Sequence, residues 1–497
     1  MSSHHRVVII GSGFSGIGAA IRLSQEGFDD WVVLERAADL GGVWRDNRYP
    51  GCACDVESRL FELSFAPNPR WTRRYSSQEE IWRYLADCAD RFGVRQRIRF
   101  GHDVQEAAWD GDAQVWRIRT SRGDFSADVL FAAPGSLSEP RTPEIPGLEG
   151  FEGDVFHSAR WPDDARLAGR RVAVVGTGAS AIQIVPSIQP EVERLVVFQR
   201  TPAWVIPRHD RPVSDRMADL LERVPLLQRA LRAAVYLRHE VLGLPFRHPR
   251  LAAGVERLVR RHLRHQVPDA ELRERLTPDY RVGCKRILLS DDYYPALTSD
   301  NVTLVDGALV EVRPRSVVGA DGAEHAVDAI ILATGFHVTD FPFARRVVGR
   351  EGRRLSEVWD GSPHAHLGTT VHGFPNLFVF QGPNTGLGHS SVLLMAEAQI
   401  EHALNALRHL RAADAAAVEP RADAQRAFVA EVDRRMENTV WLRGGCRSWY
   451  LDDSGRNPTL WPGGIGSFRR RVEPFDPGEY IVHARTALAP AAATTDG

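Results

Sequence analysis

One eleven-residue device occurs twice in this chain: residues 6–16 read RVVIIGSGFSG and residues 171–181 read RVAVVGTGASA. In each, a basic residue and four apolar residues run into G-x-G-x-x-G or G-x-G-x-x-A, then into a helix-like stretch, IGAAIRLSQEG after the first and SAIQIVPSIQ after the second. This pattern predicts a buried parallel strand, a tight turn and a helix. Gly11 and Gly176 permit the turn, Gly13 and Gly178 leave room for a pyrophosphate against the backbone, and Gly16 and Ala181 let helix pack on strand. The pyrophosphate would sit on the helix N-terminus, with Ser15, Thr177 and Ser180 expected beside it. One such motif is weak evidence, because glycine turns are common. Two in strand, turn and helix context specify two dinucleotide sites.

The following strands say which dinucleotides. DWVVLER ends at Glu35, and RLVVFQRT ends on Arg200 and Thr201, so Glu35 and Arg200 stand at the same offset of 24 residues from Gly11 and Gly176. A carboxylate there accepts hydrogen bonds from ribose hydroxyls, whereas an arginine matches a 2′-phosphate. FAD is therefore assigned to the first site and NADPH to the second.

The rest of the chain bounds this reading. With 497 residues, 43% hydrophobic and 25% charged, there is room for two or three domains with sizeable cores. A formal net charge of −2 supplies no basic field, so neither nucleic acid nor an anionic membrane is an expected partner. No apolar run reaches the roughly eighteen residues of a spanning helix, so no stable membrane insertion is expected. The first strand-like run begins at Arg6, leaving no room for a signal peptide, and a cytoplasmic enzyme is the expectation. Five cysteines (52, 54, 88, 284, 446) are an odd and scattered set, unsuited to a disulfide framework. Cys52 and Cys54 form C-x-C and read as incidental loop residues, and the 18 histidines form no motif with metal-ligand context, so no metal is expected.

The expected fold class is α/β: two Rossmann-like domains, the second inserted in the first, with a helical insertion. The flavin domain spans 1–145 and 340–487, the NADPH domain 146–339, and the helical insertion about 213–277, where Val255, Leu258, Val259 and Leu263 repeat at helical spacing with arginines opposite. DAIILATGF (328–336) and PNLFVFQGPNTGLGHS (375–390) read as later strands of the discontinuous flavin domain, and residues 488–497 as a frayed tail. His389, in the second of these stretches, is expected to make a structural hydrogen bond.

Two further stretches carry a family resemblance. GGVWRDNRYPGCACD (41–55) and FEGDVFHSARWP (151–162), read as F-x-G-x-x-x-H-x-x-x-W-P, resemble signatures of the type I Baeyer-Villiger monooxygenases, class B flavoprotein monooxygenases. Both glycine motifs, GCKR at 283–286 and ATGF at 333–336 extend the resemblance over most of the chain. It implies that NADPH reduces FAD, that O2 then gives a C4a-peroxyflavin, and that this species inserts one oxygen atom beside a ketone carbonyl to give an ester or lactone. A fixed cation must hold the negative charge that develops, and Arg286 matches the family's catalytic arginine. Asp55 matches the carboxylate that orients it and lies at the cofactors. Lys285 is placed toward the NADP phosphate, and Gly42, Trp44 and Val104 toward FAD. Phe151, Gly153, His157 and Trp161 form the linker signature, implied to couple the domains rather than to make or break bonds. The alternative is N- or S-oxygenation of a soft nucleophile, against which Trp161, Asp55 and Arg286 argue.

Overall fold

The computed structural model describes residues 3–486, the side chains of 249 and 250 excepted, so the expected tail at 488–497 lies outside the described residues. The strand β1 (Ser3–Ile10) turns at Gly11 into α1 (Phe14–Gln25) and returns as β2 (Trp31–Glu35), parallel to β1. After α2 (Val43–Asp46) and α3 (Gln78–Arg91), β3 (Ile98–Phe100) adds outside β2. The antiparallel run β4 (Val104–Asp110), β5 (Val115–Thr120), β6 (Gly123–Ala132) then folds back until β6 lies parallel to β1. The unbroken apolar runs of β1 and β2 suit strands covered on both faces, and Val7, Val8 and Ile9 are wholly buried.

The second device opens a separate sheet. Here β7 (Asp154–His157), β8 (Arg171–Val175) and β9 (Arg194–Gln199) are followed by a short pair, β10 (Val205–Ile206) with β11 (Leu288–Leu289), and by β12 (Val302–Asp306). A three-stranded antiparallel sheet, β13 (Leu309–Arg313), β14 (Ser316–Gly319) and β15 (Glu324–Ala326), precedes β16 (Ala329–Leu332). The resulting five-stranded sheet runs β12-β9-β8-β16-β7, parallel throughout. The chain then rejoins the first sheet, β17 (Val347–Val348) beside β4 and β18 (Leu377–Val379) beside β6. Two dinucleotide-type sheets, the second threaded into the first, are thus the architecture. An outlying two-stranded antiparallel sheet, β19 (Ala415–Pro420) with β20 (Tyr480–Ala484), closes the C-terminal part.

Between β10 and β11 lie α5 (Asp215–Arg223), α6 (Pro225–Leu242), α7 (Leu244–Arg247), α8 (Pro249–Gln266) and α9 (Ala270–Arg275). Two expectations need correction. DAIILATGF supplies β16, which bonds to β7 and β8 in the second sheet rather than to the flavin-type sheet. A short buried run reads alike in either parallel sheet, and only long-range pairing decides between them. In α8, Val259 and Leu263 are buried but Leu258 is 66% exposed, one position off the buried stripe. Among the described residues no helix is long and apolar enough to cross a membrane.

Buried histidines in the first unit make its stability depend on pH. His402 and His366 are wholly buried, and burial brings each imidazole from 6.5 down to about 4. His402 bonds the Tyr480 hydroxyl through Nε2 at 2.8 Å. Since the unfolded chain takes up these protons first, stability is full above pH 6.5 and declines as pH falls toward 4, by roughly 3 kcal/mol for one such histidine. Melting temperatures measured from pH 7.5 to 4.5 are expected to drop on the acid side, and less steeply in His402→Gln. An equal acid slope in that variant would contradict the assignment.

Candidate active site

Neither helix that follows a glycine turn carries a side-chain cap at its N-terminus. In α1 the N-cap is Gly13 and the first backbone bond runs from the Ile17 N–H to the Gly13 carbonyl, which leaves the N–H groups before it open to an anion; in α4 (Ala181–Ile188) the N-cap is Ser180, and the Ile182 and Gln183 N–H groups already donate to the Gly178 and Ser180 carbonyls. Gly11 and Gly176 have φ of +96° and +117°, and a Cβ at either would collide with the Ala133 or Ala333 carbonyl, so a side chain fits at neither. A Cβ at Gly13 would meet only the Gly42 Cα at 3.8 Å, and one at Gly178 would meet nothing within 4 Å. That open strip is where a pyrophosphate fits. Ser15 is buried beneath the first turn, and the Thr177 hydroxyl closes the second by donating to the Thr201 carbonyl at 2.9 Å.

Glu35, 4% exposed, is more engaged than a strand-end residue needs to be. Its Oε2 accepts from the Ser12 N–H (2.9 Å) and hydroxyl (2.7 Å), and its Oε1 from the Ala37 N–H (2.9 Å) and from Arg45 (3.2 Å). Burial alone would raise its pKa, but the Ala37 and Ser12 donors and Arg45 outweigh burial and hold it below the usual carboxylate value. The Arg45 contact is the longest of the four. Trp44 lies in α2, edge to face with Phe61 at 5.3 Å, over the first turn's core. Val104 begins β4, and its carbonyl accepts from Arg346 at 2.7 Å.

At the second turn, Arg200 is exposed and Lys285 half-buried with its ammonium 4.9 Å from the Tyr280 ring centroid. Burial lowers the Lys285 pKa, and the charge of Arg200 lowers it further. Among the described residues neither cation has a carboxylate partner. Arg200 and Lys285 thus set two neighbouring positive charges beside the second turn, the charge pattern that a further phosphate would match, with Asp279 an acidic charge that also acts on Lys285.

Arg286 and Asp55, 231 positions apart, meet between the two turns: Nε and Nη2 of the arginine donate to Asp55 Oδ2 at 2.8 and 2.6 Å. Their side chains keep 28% and 25% exposure, facing open space. Asp55 pushes the arginine pKa up against the effect of burial, so Arg286 is a permanent cation. The loop carrying Asp55 docks on the second unit. Gln183 of α4 donates to the Ala53 carbonyl at 2.9 Å and accepts from the Tyr49 hydroxyl at 3.2 Å, while Gly51 (φ +79°) lies so close to α4 that a Cβ there would stand 2.7 Å from the Gln183 carbonyl oxygen. Arg208, from the loop after β10, donates to the Cys54 carbonyl at 3.0 Å and adds a second positive charge near the pair. Tyr450, 1% exposed, stands beside Arg286 with its hydroxyl free of any hydrogen bond among the described residues. Gln183, Arg208 and Tyr450 carry no motif. Only the meeting of distant segments marks them.

The linker signature packs on the second sheet and touches the first unit at α2. His157 closes β7, 4% exposed, its Nδ1 accepting from the Ala159 N–H at 3.1 Å and its ring edge to face with Phe336 at 5.7 Å. Its Nε2 is buried without a partner, and burial lowers its pKa, so the ring is neutral. Trp161 packs edge to face on Phe156 at 4.9 Å against the second sheet's core, where Phe151 joins a separate cluster and Gly153 fits under the Asp328 carbonyl. The turn 158–160 between them touches α2, the helix of Trp44.

Two expectations fail here. Cys284 and Cys446 form a disulfide, Cα–Cα 6.2 Å, although their separation of 162 positions hides the pairing in the sequence. Cys52, Cys54 and Cys88 are free. His389 makes no side-chain hydrogen bond among the described residues; it packs on Phe246 and faces Glu240 at 3.6 Å.

Comparison with known proteins agrees with this geometry. Residues 4–353 match the family model described as flavin-binding monooxygenase-like. A protein of Streptomyces coelicolor named Baeyer-Villiger monooxygenase is 52% identical over 481 residues, covering 96% of this chain and 93% of that one. One of the same name from Pseudomonas aeruginosa is 45% identical over 96% of this chain and 91% of its own length. The NADP+-bound crystal structure of cyclohexanone monooxygenase from Rhodococcus sp. Phi1 superposes with a TM-score of 0.86 at 28% identity, covering 98% of this chain and 100% of that one. The chain belongs to the flavin-binding monooxygenase-like family. Within it, the relatives place it among the Baeyer-Villiger monooxygenases.

Proposed function

We propose that the protein uses NADPH and O2 to insert one oxygen atom beside the carbonyl of a ketone, giving an ester or lactone. FAD, when bound, supplies the redox chemistry and the activation of oxygen. The uncapped N-terminus of α1, with Gly11, Gly13, Ser15 and Gly16, would hold its pyrophosphate. Glu35 would take its ribose, and Gly42, Trp44 and Val104 would line the remainder. Gly176, Thr177, Gly178, Ser180 and Ala181 would hold the NADP pyrophosphate, with Arg200, Thr201 and Lys285 at the 2′-phosphate. Residues 1–145 and 340–487 would act as the flavin unit and 146–339 as the nicotinamide unit.

The carrying observation is the Arg286–Asp55 pair between the two turns, a permanent cation aimed by a carboxylate from the other unit. A guanidinium with two N–H groups committed to Asp55 keeps the others for the oxyanion that forms when a carbonyl is attacked. It holds that charge unprotonated, which oxygenation of a ketone requires. Oxygenation of an amine or sulfide requires the opposite. Incubating the purified protein with NADPH, O2, a ketone panel and a thioether panel tests the reading: ester products support it, and sulfoxides without esters overturn it.

The linker signature would hold the alternative arrangements that hydride transfer and oxygenation need, since its imidazole and indole pack against different neighbours. His157→Ala is expected to raise KM for NADPH several-fold or to increase the NADPH consumed without product. A folded variant with unchanged KM and unchanged product yield per NADPH would contradict that role.

A further inference from the structure

The Cys284–Cys446 bridge joins two segments that both reach the Arg286–Asp55 pair. Cys284 stands two residues before Arg286 and is wholly buried among Phe246, Tyr280, Val440, Trp441 and Tyr450. Cys446 begins the stretch that ends at Tyr450, the buried hydroxyl beside Arg286. Apart from the bridge, the two segments are tied by the Arg281 N–H donating to the Gly444 carbonyl at 2.9 Å, with Gly444 lying directly against Cys284. Leu442, Arg443, Gly445, Arg447 and Trp449 are exposed, so little else anchors residues 442–449. Without the bridge, the Arg281–Gly444 backbone hydrogen bond, the Thr459 hydroxyl donating to the Tyr450 carbonyl at 3.2 Å and the packing of the Tyr450 side chain would hold the segment against the arginine.

Access to the two sulfurs is unequal. Cys284 is sealed, whereas Cys446 is half-buried between exposed Gly445 and Arg447. An external thiol can therefore reach only the Cys446 Sγ. The free cysteines are disfavoured as competitors: burial pushes the Cys52 thiol up to about 12 and raises Cys54 and Cys88, which works against the thiolate at all three.

We propose that Cys446 is a thiol–disulfide exchange site for dithiol reductants, and that opening the bridge releases residues 442–450 from Arg286. The thiolate of the reductant bonds to Cys446 Sγ as the S–S bond breaks and Cys284 leaves as a thiolate. The second thiol of the reductant then displaces Cys446 and closes the reductant's own disulfide. Two electrons pass from dithiol to protein, and its two protons end on Cys284 and Cys446. With the segment released, Tyr450 leaves its place beside the arginine and the pair, already partly exposed, opens further to water. Resting on the proposed role of Arg286, the consequence is that oxygen transfer falls while NADPH oxidation continues, so reducing equivalents are lost to hydrogen peroxide.

The test uses FAD-loaded protein in buffers of reduced and oxidised dithiothreitol. Alkylation after denaturation, read by intact mass, should count three thiols in the oxidised form and five in the reduced one. Hydrogen–deuterium exchange should rise at least about tenfold across residues 442–450 on reduction and return on reoxidation. Ester formed per NADPH should drop several-fold in the reduced form. Cys446→Ser should resemble the reduced form and ignore the reductant. A bridge that stays closed in dithiothreitol, or one that opens while exchange and ester yield stay the same, would overturn the proposal. If exchange responds as expected but neither redox form makes any ester, the exchange site stands and the reading of Arg286 as the oxygenation cation fails.

Discussion

Arg286→Ala is expected to slow ester formation at least about 100-fold while FAD stays bound, the scale seen when one donor to a developing oxyanion is removed. The flavin contacts proposed above come from α1, Glu35, Gly42, Trp44 and Val104, none of which hydrogen-bonds to the Arg286 side chain, whose bonds go to Asp55. The loss should therefore fall on oxygen transfer. Asp55→Ala should impair both half-reactions, because the carboxylate that aims the guanidinium is gone and a half-buried cation is left without its partner. Stopped-flow timing of flavin reduction and of its reoxidation with ketone separates the two effects. Wild-type ester formation by Arg286→Ala would remove the arginine from the mechanism.

Preference for NADPH over NADH should fall about tenfold or more in Arg200→Ala, and further when Lys285→Ala is added. Each charge-assisted hydrogen bond to the 2′-phosphate contributes about 1.5 to 3 kcal/mol, and NADH offers no phosphate to receive it. Because the two cations have no carboxylate partner among the described residues, removing one leaves no orphaned acid and should not destabilise the fold. The relief of repulsion between them should move the Lys285 pKa upward in Arg200→Ala. The ratio of kcat/KM values for the two cofactors, measured in wild type and both variants, decides it. A wild-type enzyme that uses NADH and NADPH equally would refute the assignment of the second turn.

Much of the architecture was legible because its signal is local. A buried strand, a glycine turn and a helix lie within eleven to twenty residues, and the glycines at 11 and 176 adopt the left-handed backbone that only the turn requires. What was not legible depends on pairing across long stretches of chain. The strand 329–332 is as apolar as any in the first sheet, and nothing within it records that β7 and β8 are its neighbours. The Cys284–Cys446 bridge, the grip of Gln183 on Ala53 and the approach of Tyr450 to Arg286 join segments more than 100 residues apart, with no spacing rule to announce them. Leu258 fits the apolar repeat by spacing yet faces solvent, since helical periodicity fixes a stripe only to within about one residue. Asp55 and Arg286 became candidates only through the signatures that resemble known monooxygenases. The folded chain explains why such signatures can lie so far apart: each supplies one half of an ion pair that spans two units.

The central claim is that this pair supports insertion of oxygen into a carbon–carbon bond beside a carbonyl. Turnover of a ketone with NADPH under 18O2, followed by mass spectrometry of the product and a count of NADPH consumed, tests it most directly. The account predicts an ester or lactone carrying one 18O atom for each NADPH oxidised. Recovery of the ketone unchanged across the panel, with labelled oxygen appearing only in sulfoxide or hydrogen peroxide, would contradict it.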